Sequence, residues 1–479
     1  MLRATDTLFK SAYFQLSDTE TQAVVNELAN RQIPLSQVED FLPCISAQSA
    51  VLMDLTADPT AYHIQLSATL TGPLEVPQLI QAWNAVSEQH APLRSHFIEL
   101  PGRQTPEFAQ VVLRSCPTAW VVVDEPLSSL DAFLMENNQR GFCIKNHMVH
   151  NFVFPTMDTN VHILVLSLHH SLMDGLSLFT LLKLLLEAYH CPQLAVPPPA
   201  VTHAVLVDHV HHQVDPLQTQ TFWINYLQDA LPTPAPPSAS NHVGVLGHTV
   251  YITKLDVSKE ALYQFAERLG ITVTTLLRAA YAVVLGRLLD QNEVTFKTFT
   301  SGRRLNLPAM DQTIGPCINM LPFRVRLGHS TIESWLLSLE ETDTNLAQFE
   351  YTSPVDIFKW TAAASGKPPT ETPYATEMGY DILPDSMGSN PTHNLKVSDV
   401  RFFELIKSNL VVDFFEKRSS IDPVVFYNTK LYTEASIDRM VGFIQHALVQ
   451  IVNAPPNTTV NQIFLDGLTL DSTHTQPSP

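Results

Sequence analysis

The chain has 479 residues, with 28 Lys and Arg against 47 Asp and Glu for a formal charge of −19, and 45% of its residues are hydrophobic. That composition suits a globular protein of two or three domains and excludes a disordered chain or one built to grip a nucleic-acid backbone. No apolar run reaches membrane-spanning length, the opening MLRATDTLFK is a poor signal peptide, and the scattered cysteines (Cys44, Cys116, Cys143, Cys191, Cys317) lack CxxC spacing, so a reduced, cytoplasmic compartment is expected, with no membrane partner and no structural zinc.

A Ser/Asp start signal and helical spacing predict a helix in LSDTETQAVVNELANRQ, and PLEVPQLIQAWNAVSEQH predicts a second, amphipathic one. AQVVLR and TAWVVVD read as strands, rich in valine and bounded by turn residues. VHILVLSL (161–168) reads as a buried strand. After Gly175, LSLFTLLKLLLEAYH is apolar on almost every side and reads as a buried helix. The segment HHSLMDG therefore lies at a strand–turn–helix corner, where ionisable groups are costly unless paired or used.

CPQLAVPPPA ends that unit, and the Pro-rich LPTPAPPSASNHVG (231–244) is the linker candidate. Beyond it the pattern restarts. HTVYITKLD is a strand, and SKEALYQFAERLG a helix with Ser258 as cap and Gly270 as stop. TTLLRAAYAVVLGRLLD is a buried helix, EVTFKTFTSGRR a strand running into a turn, NMLPFRVRL a strand and TIESWLLSLEETDTNLAQ a helix. SNLVVDFFEK and DPVVFYNTKLY are strands, and TEASIDRMVGFIQHALVQIV closes the fold as a long helix. The expected division is an N-terminal helical extension at 1–40, a first α/β lobe at 41–230, the linker at 231–244, a second lobe at 245–465 and a flexible tail at 466–479.

Taken alone, HHSLMDG admits two satisfied core histidines, an Asp capping the next helix and a glycine turn. A metal reading needs His and Asp four apart on one helix face, but Gly175 indicates a turn and no third ligand spacing is visible. DHVHH (208–212) reads as a polar helix face rather than a metal site. No GxSxG, phosphate-loop or dinucleotide fingerprint is present.

HHSLMDG fits the HHxxxDG motif of the condensation domains of nonribosomal peptide synthetases, in the chloramphenicol-acetyltransferase-like superfamily. Companion segments follow in the family's order. FLPCISAQSAVL, with Ser46 and Gln48, resembles the first motif, and QHAPLRSHF, with Arg94, resembles the second, which usually reads RHEVLRTxF. VDHV…FWINYL is similar to a degraded fourth motif. SGRRLNLP…IGPCINMLPFRV resembles SGR…(I/V)GxFxNTLPxRV and carries Ser301, Gly302, Arg303, Gly315 and Asn319. The resemblance runs from about residue 40 to 460, and VEDFLPC and QFEYTSPVDI are most similar to fungal synthetases. Gln89 stands where the second motif has Arg, and Met320 where Thr usually follows Asn319.

The resemblance implies an α/β fold of two chloramphenicol-acetyltransferase-like lobes in a V-shaped pseudo-dimer with a tunnel between them. It implies an acyltransferase that joins a donor held as a 4'-phosphopantetheine thioester of an acidic carrier protein to an amine or hydroxyl nucleophile. No cofactor is permanently bound, the partners are the carrier and small-molecule or peptidyl substrates, and a monomer is expected. His170 takes the nucleophile's proton or orients it. His169 is structural, since neighbours on an extended segment point to opposite sides. Asp174 pairs with Arg303 or Arg94, and Gly175 permits the turn and offers a backbone N–H to the oxyanion. Ser46, Gln48, Ser301, Gly302, Gly315 and Asn319 are candidates to line the substrate tunnel. A terminal, cyclising domain is a subtype of this function. The alternatives are a free-standing acyltransferase with a CoA-bound or carrier-bound donor, and a degenerate pair of lobes that only docks carriers.

Overall fold

The computed structural model describes residues 16–100, 107–212, 215–237, 248–366, 374–382, 394–406 and 408–465. In chain order the first half holds α1 (Asp18–Asn30), β1 (Val38–Pro43), α2 (Ser46–Ala57), β2 (His63–Thr71), α3 (Val76–Gln89), β3 (Ser95–Glu99), β4 (Phe108–Leu113) and β5 (Ala119–Val122). It continues with α4 (Leu130–Arg140), β6 (Val149–Pro155), β7 (Val161–His169), α5 (Gly175–His190) and α6 (His203–His212). The second half holds α7 (Pro216–Tyr226), β8 (His248–Ile252), α8 (Lys259–Leu269), α9 (Val273–Leu289), β9 (Glu293–Thr300), β10 (Asn319–Arg326), α10 (Ile332–Ala347) and α11 (Pro354–Ser365). Two short strands follow, β11 (Glu377–Met378) and β12 (Asp381–Ile382), then β13 (Lys396–Phe403), β14 (Leu410–Glu416), β15 (Ile421–Asn428) and α12 (Glu434–Val452).

The chain forms two compact units, and neither is one contiguous stretch. The first comprises Met1–Asp215, Ser301–Ile318 and Ser386–Leu405, and the second Pro216–Thr300, Asn319–Asp385 and Ile406–Pro479. This differs from the contiguous lobes expected at 41–230 and 245–465. The cause is pairing: β13 adds to the edge of the first unit's sheet against β2, from Lys396 opposite Thr71 to Phe403 opposite Gln65. The division also falls before Pro216 rather than in the Pro-rich 231–244, where Thr233 bridges Tyr374 within the second unit. Residues 238–244 of that linker candidate and the tail at 466–479 lie outside the described residues.

In the first unit a five-stranded sheet has the order β13–β2–β7–β6–β5, and a three-stranded sheet the order β1–β4–β3. Helices α3 and α5 cover one face of the larger sheet: Leu79, Trp83 and Val86 meet Leu178, Leu181, Leu182 and Leu185 over Ile64, Leu66, Leu164 and Leu166. Helix α5 is less enclosed than its composition predicts. Leu176, Lys183 and Glu187 are exposed, and Lys183 and Glu187 mark the solvent stripe one turn apart. Helix α1 is part of the unit rather than an extension, because Val24 and Leu28 pack against Phe41, Ile98 and Val111 of the smaller sheet. Its Ser17–Glu20 capping box closes the N-terminus as expected.

Among the described residues the second unit carries one sheet, ordered β10–β9–β11–β14–β15–β8, with β12 beside β14. Helix α9 is buried on nearly every side, as its sequence predicts, and packs with α12 in a core that includes Tyr281, Phe296, Phe323, Phe414 and Ile444. Helix α8 starts at the Ser258 cap and stops at Gly270, which is left-handed at φ 68°.

Candidate active site

Strands β2 and β7 run antiparallel and in register from His63 opposite His169 to Thr71 opposite Val161. Just past that ladder the His170 N–H donates to the Tyr62 carbonyl at 2.9 Å. The two adjacent histidines differ in burial and in partners. His169 is completely buried; its Nδ1 accepts from the Ser171 N–H at 3.2 Å and lies 2.8 Å from Ser171 Oγ. Burial first, then the charges His170 and His63 would carry, lower its pKa to about 3, so it is neutral throughout the physiological range. The His170 imidazole is half-buried, and the Tyr62 ring stands edge-on to it with centroids 6.3 Å apart and planes at 87°.

The turn after His170 is locked. Asp174 is the N-cap of α5, its Oδ1 accepting from Ser177 N at 2.9 Å. Arg303 grips the same carboxylate with both terminal nitrogens, Nη1 to Oδ2 at 2.7 Å and Nη2 to Oδ1 at 2.9 Å. The Cys317 N–H donates to Oδ2 at 3.1 Å. Burial alone would raise the Asp174 carboxyl, but the Arg303 charge and the bonds from Arg303 and Ser177 hold it below the usual carboxylate range. Arg303 Nη2 also donates to Ser177 Oγ at 3.0 Å and to the Thr313 carbonyl at 3.2 Å.

Of the two arginines expected for Asp174, the structure selects Arg303. Arg94 is buried elsewhere, with Nε on the Ser87 carbonyl at 3.0 Å and Nη1 on Glu39 Oε2 at 2.5 Å. The helix end does not offer the free positive pole expected near an oxyanion, because the Asp174 carboxylate already caps it. Gly175 is not needed for a left-handed turn either: its backbone is helical, and an added Cβ would meet only the Phe402 ring, at 3.9 Å.

Several residues expected along a substrate path are committed to the scaffold. Gln48 is buried: its Oε1 accepts from Ile45 N at 3.0 Å, while Nε2 donates to the Ser171 carbonyl at 2.9 Å and to Gln110 Oε1 at 3.0 Å. It fastens α2 to the turn beside His170. The Gly315 carbonyl accepts from Asp174 N at 3.3 Å and from Ser177 Oγ at 2.9 Å, and its N–H donates to that hydroxyl at 3.1 Å. Asn319 belongs to the second unit and ties β10 to the Glu350 and Thr352 carbonyls, both at 2.8 Å. Ser46 is half-buried in the first turn of α2, Ser301 is exposed with its hydroxyl accepting from Arg303 N at 3.3 Å, and Gly302 is buried and left-handed at φ 62°.

Ser177, Gln110, His203 and Tyr62 were not singled out by the sequence. Ser177 sits three residues past Asp174, a spacing that an N-cap search could have found. Gln110 receives His203 Nε2 at 2.9 Å and also reaches the Pro43 carbonyl at 3.0 Å, contacts between segments far apart in sequence that leave no local signal. Among the described residues no group of three or more His, Cys, Asp or Glu is placed to hold a metal ion, and no single helix is long and apolar enough to cross a membrane.

Solved structures of the same architecture place the fold in the chloramphenicol-acetyltransferase-like class. The condensation domain of the monacolin K polyketide synthase MokA superposes with a TM-score of 0.71 at 15% identity, covering 88% of this chain and 100% of that one. The X-domain from teicoplanin biosynthesis superposes at 0.70 with 20% identity, covering 88% and 97%. The chain belongs to the condensation-domain family, whose model matches residues 38–466. It is 29% identical over 443 residues to a linear gramicidin synthase of Brevibacillus parabrevis, spanning 88% of this chain and 6% of that protein. It is 26% identical over 450 residues to the nonribosomal peptide synthetase easA of Emericella nidulans, spanning 90% and 6%. The chain therefore covers less than a tenth of the length of these curated relatives.

Proposed function

We propose that this condensation domain transfers an acyl or peptidyl group from the phosphopantetheine thioester of a carrier protein to an amine or hydroxyl in nonribosomal peptide assembly. The observation that carries the reading is the split between the two histidines. His169 is sealed in and neutral, while His170 is half-buried at the end of β7 on a turn fixed by Asp174 and Arg303. As the acceptor attacks the thioester carbonyl, the His170 imidazole accepts or steers its proton. The tetrahedral centre collapses with cleavage of the C–S bond, and the leaving thiolate takes up the proton. The products are an amide or ester and a free carrier thiol. In a cyclising domain the chemistry is the same and the acceptor lies within the donor chain.

The partner is an acidic carrier. Both proteins are then net negative, and their repulsion is screened beyond about 8 Å at physiological salt. Docking rests on a local contact of few basic and apolar side chains, and transient partners of this kind often bury less than about 1,200 Å².

The test offers the same acyl group on a holo-carrier, on CoA and on a short pantetheine mimic, with an added amine, and reads products by mass spectrometry. The carrier-bound donor is expected to be used far better than the mimic, and His170→Ala to lose about 10²–10⁴-fold in turnover while still folding. A folded His170→Ala protein with full turnover removes the assignment of His170. Efficient use of CoA thioester at micromolar concentration, with no gain from the carrier, replaces this reading by that of a free-standing acyltransferase. Release of a ring without added amine identifies the cyclising subtype.

A further inference from the structure

Tyr62 is built in a conformation that an aromatic residue rarely adopts. Its φ is 51°, inside the left-handed region that crowds a side chain against its own backbone. Such strain persists only where the surroundings over-determine it, and it concentrates at functional sites. The surroundings here do so from both sides. On the N-terminal side, the turn after α2 is pinned by Ala61 N on the Asp58 carbonyl at 3.0 Å and by Phe142 N on the Pro59 carbonyl at 2.7 Å. Gly141, at φ 62°, lies so close beneath that turn that a Cβ on it would sit 2.4 Å from the Pro59 oxygen. On the C-terminal side, His63 starts the β2 ladder opposite His169, and the Phe142 ring packs on His63 with centroids 4.4 Å apart.

Held in this way, Tyr62 meets His170 twice. Its carbonyl accepts the His170 N–H at 2.9 Å, and its ring stands edge-on to the imidazole. No other hydrogen bond to His170 is found among the described residues, whereas His169 and Asp174 each have side-chain partners. We propose that Tyr62 is a positioning residue for His170: its left-handed backbone anchors the His170 main chain, and its ring fixes the direction of the imidazole. The inference rests on the reading of His170 as the catalytic residue, and its test carries a readout independent of turnover.

Three substitutions separate ring from backbone. Tyr62→Phe keeps the ring. Tyr62→Asn removes the ring but tolerates the left-handed conformation, and Tyr62→Gly removes the ring and frees the backbone. With carrier-bound donor, Tyr62→Phe should keep kcat within about twofold, while Tyr62→Asn and Tyr62→Gly should lose about 10- to 100-fold in kcat with little change in the donor KM, the size of effect a misaligned reacting group produces. The second readout is NMR of protein labelled at histidine Cε1, with the His170 signal assigned by its loss in His170→Gln. Its chemical shift should move in Tyr62→Asn and Tyr62→Gly and stay in Tyr62→Phe. An unchanged His170 signal with unchanged kcat in folded Tyr62→Asn overturns the inference. Lost kcat with an unmoved His170 signal overturns it too, by making Tyr62 a substrate contact. Full activity of His170→Gln defeats the catalytic reading instead, and the NMR comparison still decides whether Tyr62 positions the ring.

Discussion

Asp174 is completely buried and yet charged, a state that persists only because Arg303 meets both of its oxygens. Each partner's desolvation is offset by the other, so removing one strands the second. Asp174→Ala also removes the α5 cap. The expected outcome is a loss of about 3–5 kcal/mol from the stranded guanidinium alone, seen in urea unfolding. Arg303→Ala should cost a similar amount, and the double variant distinctly less than the sum, because it leaves no unpaired charge behind. Asp174 is held low, so its contribution is present above the unfolded carboxyl value of 3.8 and fades only as pH falls through its still lower folded value. An Asp174→Ala protein that unfolds like the wild type but turns over no substrate would assign Asp174 to the chemistry itself.

At the scale of elements, helix ends show where local sequence suffices. Gly141 and Gly270 both follow helices, α4 and α8, and both have a positive φ, 62° and 68°, but only Gly270 is in the left-handed helical conformation. Their backbones and their surroundings both differ: ψ is −172° at Gly141 against 36° at Gly270, and a Cβ at Gly270 meets nothing within 4 Å, whereas at Gly141 it meets the Pro59 carbonyl carbon at 2.7 Å as well as its oxygen. Gly270→Ala should cost only the left-handed penalty of about 1–2 kcal/mol. Gly141→Ala should cost clearly more and also reduce kcat, since the obstructed turn leads directly into Tyr62. Thermal melts and turnover of the two variants check this, and equal losses in both would show that the close approach is relieved at no cost.

The helix stop at Gly270, the β7–α5 corner and the helix α9 were legible because each is written in neighbouring residues. Strands β2 and β13 were not among the predicted elements. In β2, His63, Gln65 and Ser67 alternate with apolar residues and look like a solvated edge, yet they are buried: Asn137 of α4 donates to Gln65 Oε1 at 2.8 Å and to Ser167 Oγ at 3.0 Å. Strand β13 has mostly exposed or half-exposed side chains and is defined by its partner more than 300 residues earlier, a register no local pattern carries. The same distinction holds at the site. The HHxxxDG residues are contiguous and were found, whereas Gln110, His203 and Tyr62 act through contacts that exist only once the sheet has formed.

At the scale of the whole molecule, the histidines divide unevenly. His63, His90, His147 and His203 have pKa values lowered to about 4, and His96 and His169 to about 3, in each case first by burial. Every described histidine with a lowered value lies between His63 and His211, within the first unit. Folded, these rings are neutral; unfolded, each takes up a proton near its ordinary value of 6.5. The unfolded state therefore binds more protons as pH drops, and stability falls with it. This stabilisation is complete above pH 6.5, declines progressively below it, and is exhausted only near the folded values of about 4 and 3. Carboxylate pairs such as Asp174–Arg303 are still ionised over most of that window, so the histidines set its upper edge. Acidification from pH 7 to 4 should thus open the first unit before the second. Pulsed hydrogen–deuterium exchange with mass spectrometry can follow β2 and β7 against α9 and β9 at each pH. Strands β2 and β7 should lose protection at the higher pH, together with turnover, while α9 stays protected. Loss of protection at one common pH would mean that the units unfold as one cooperative body, and earlier loss in α9 would mean that buried histidines do not govern the acid response.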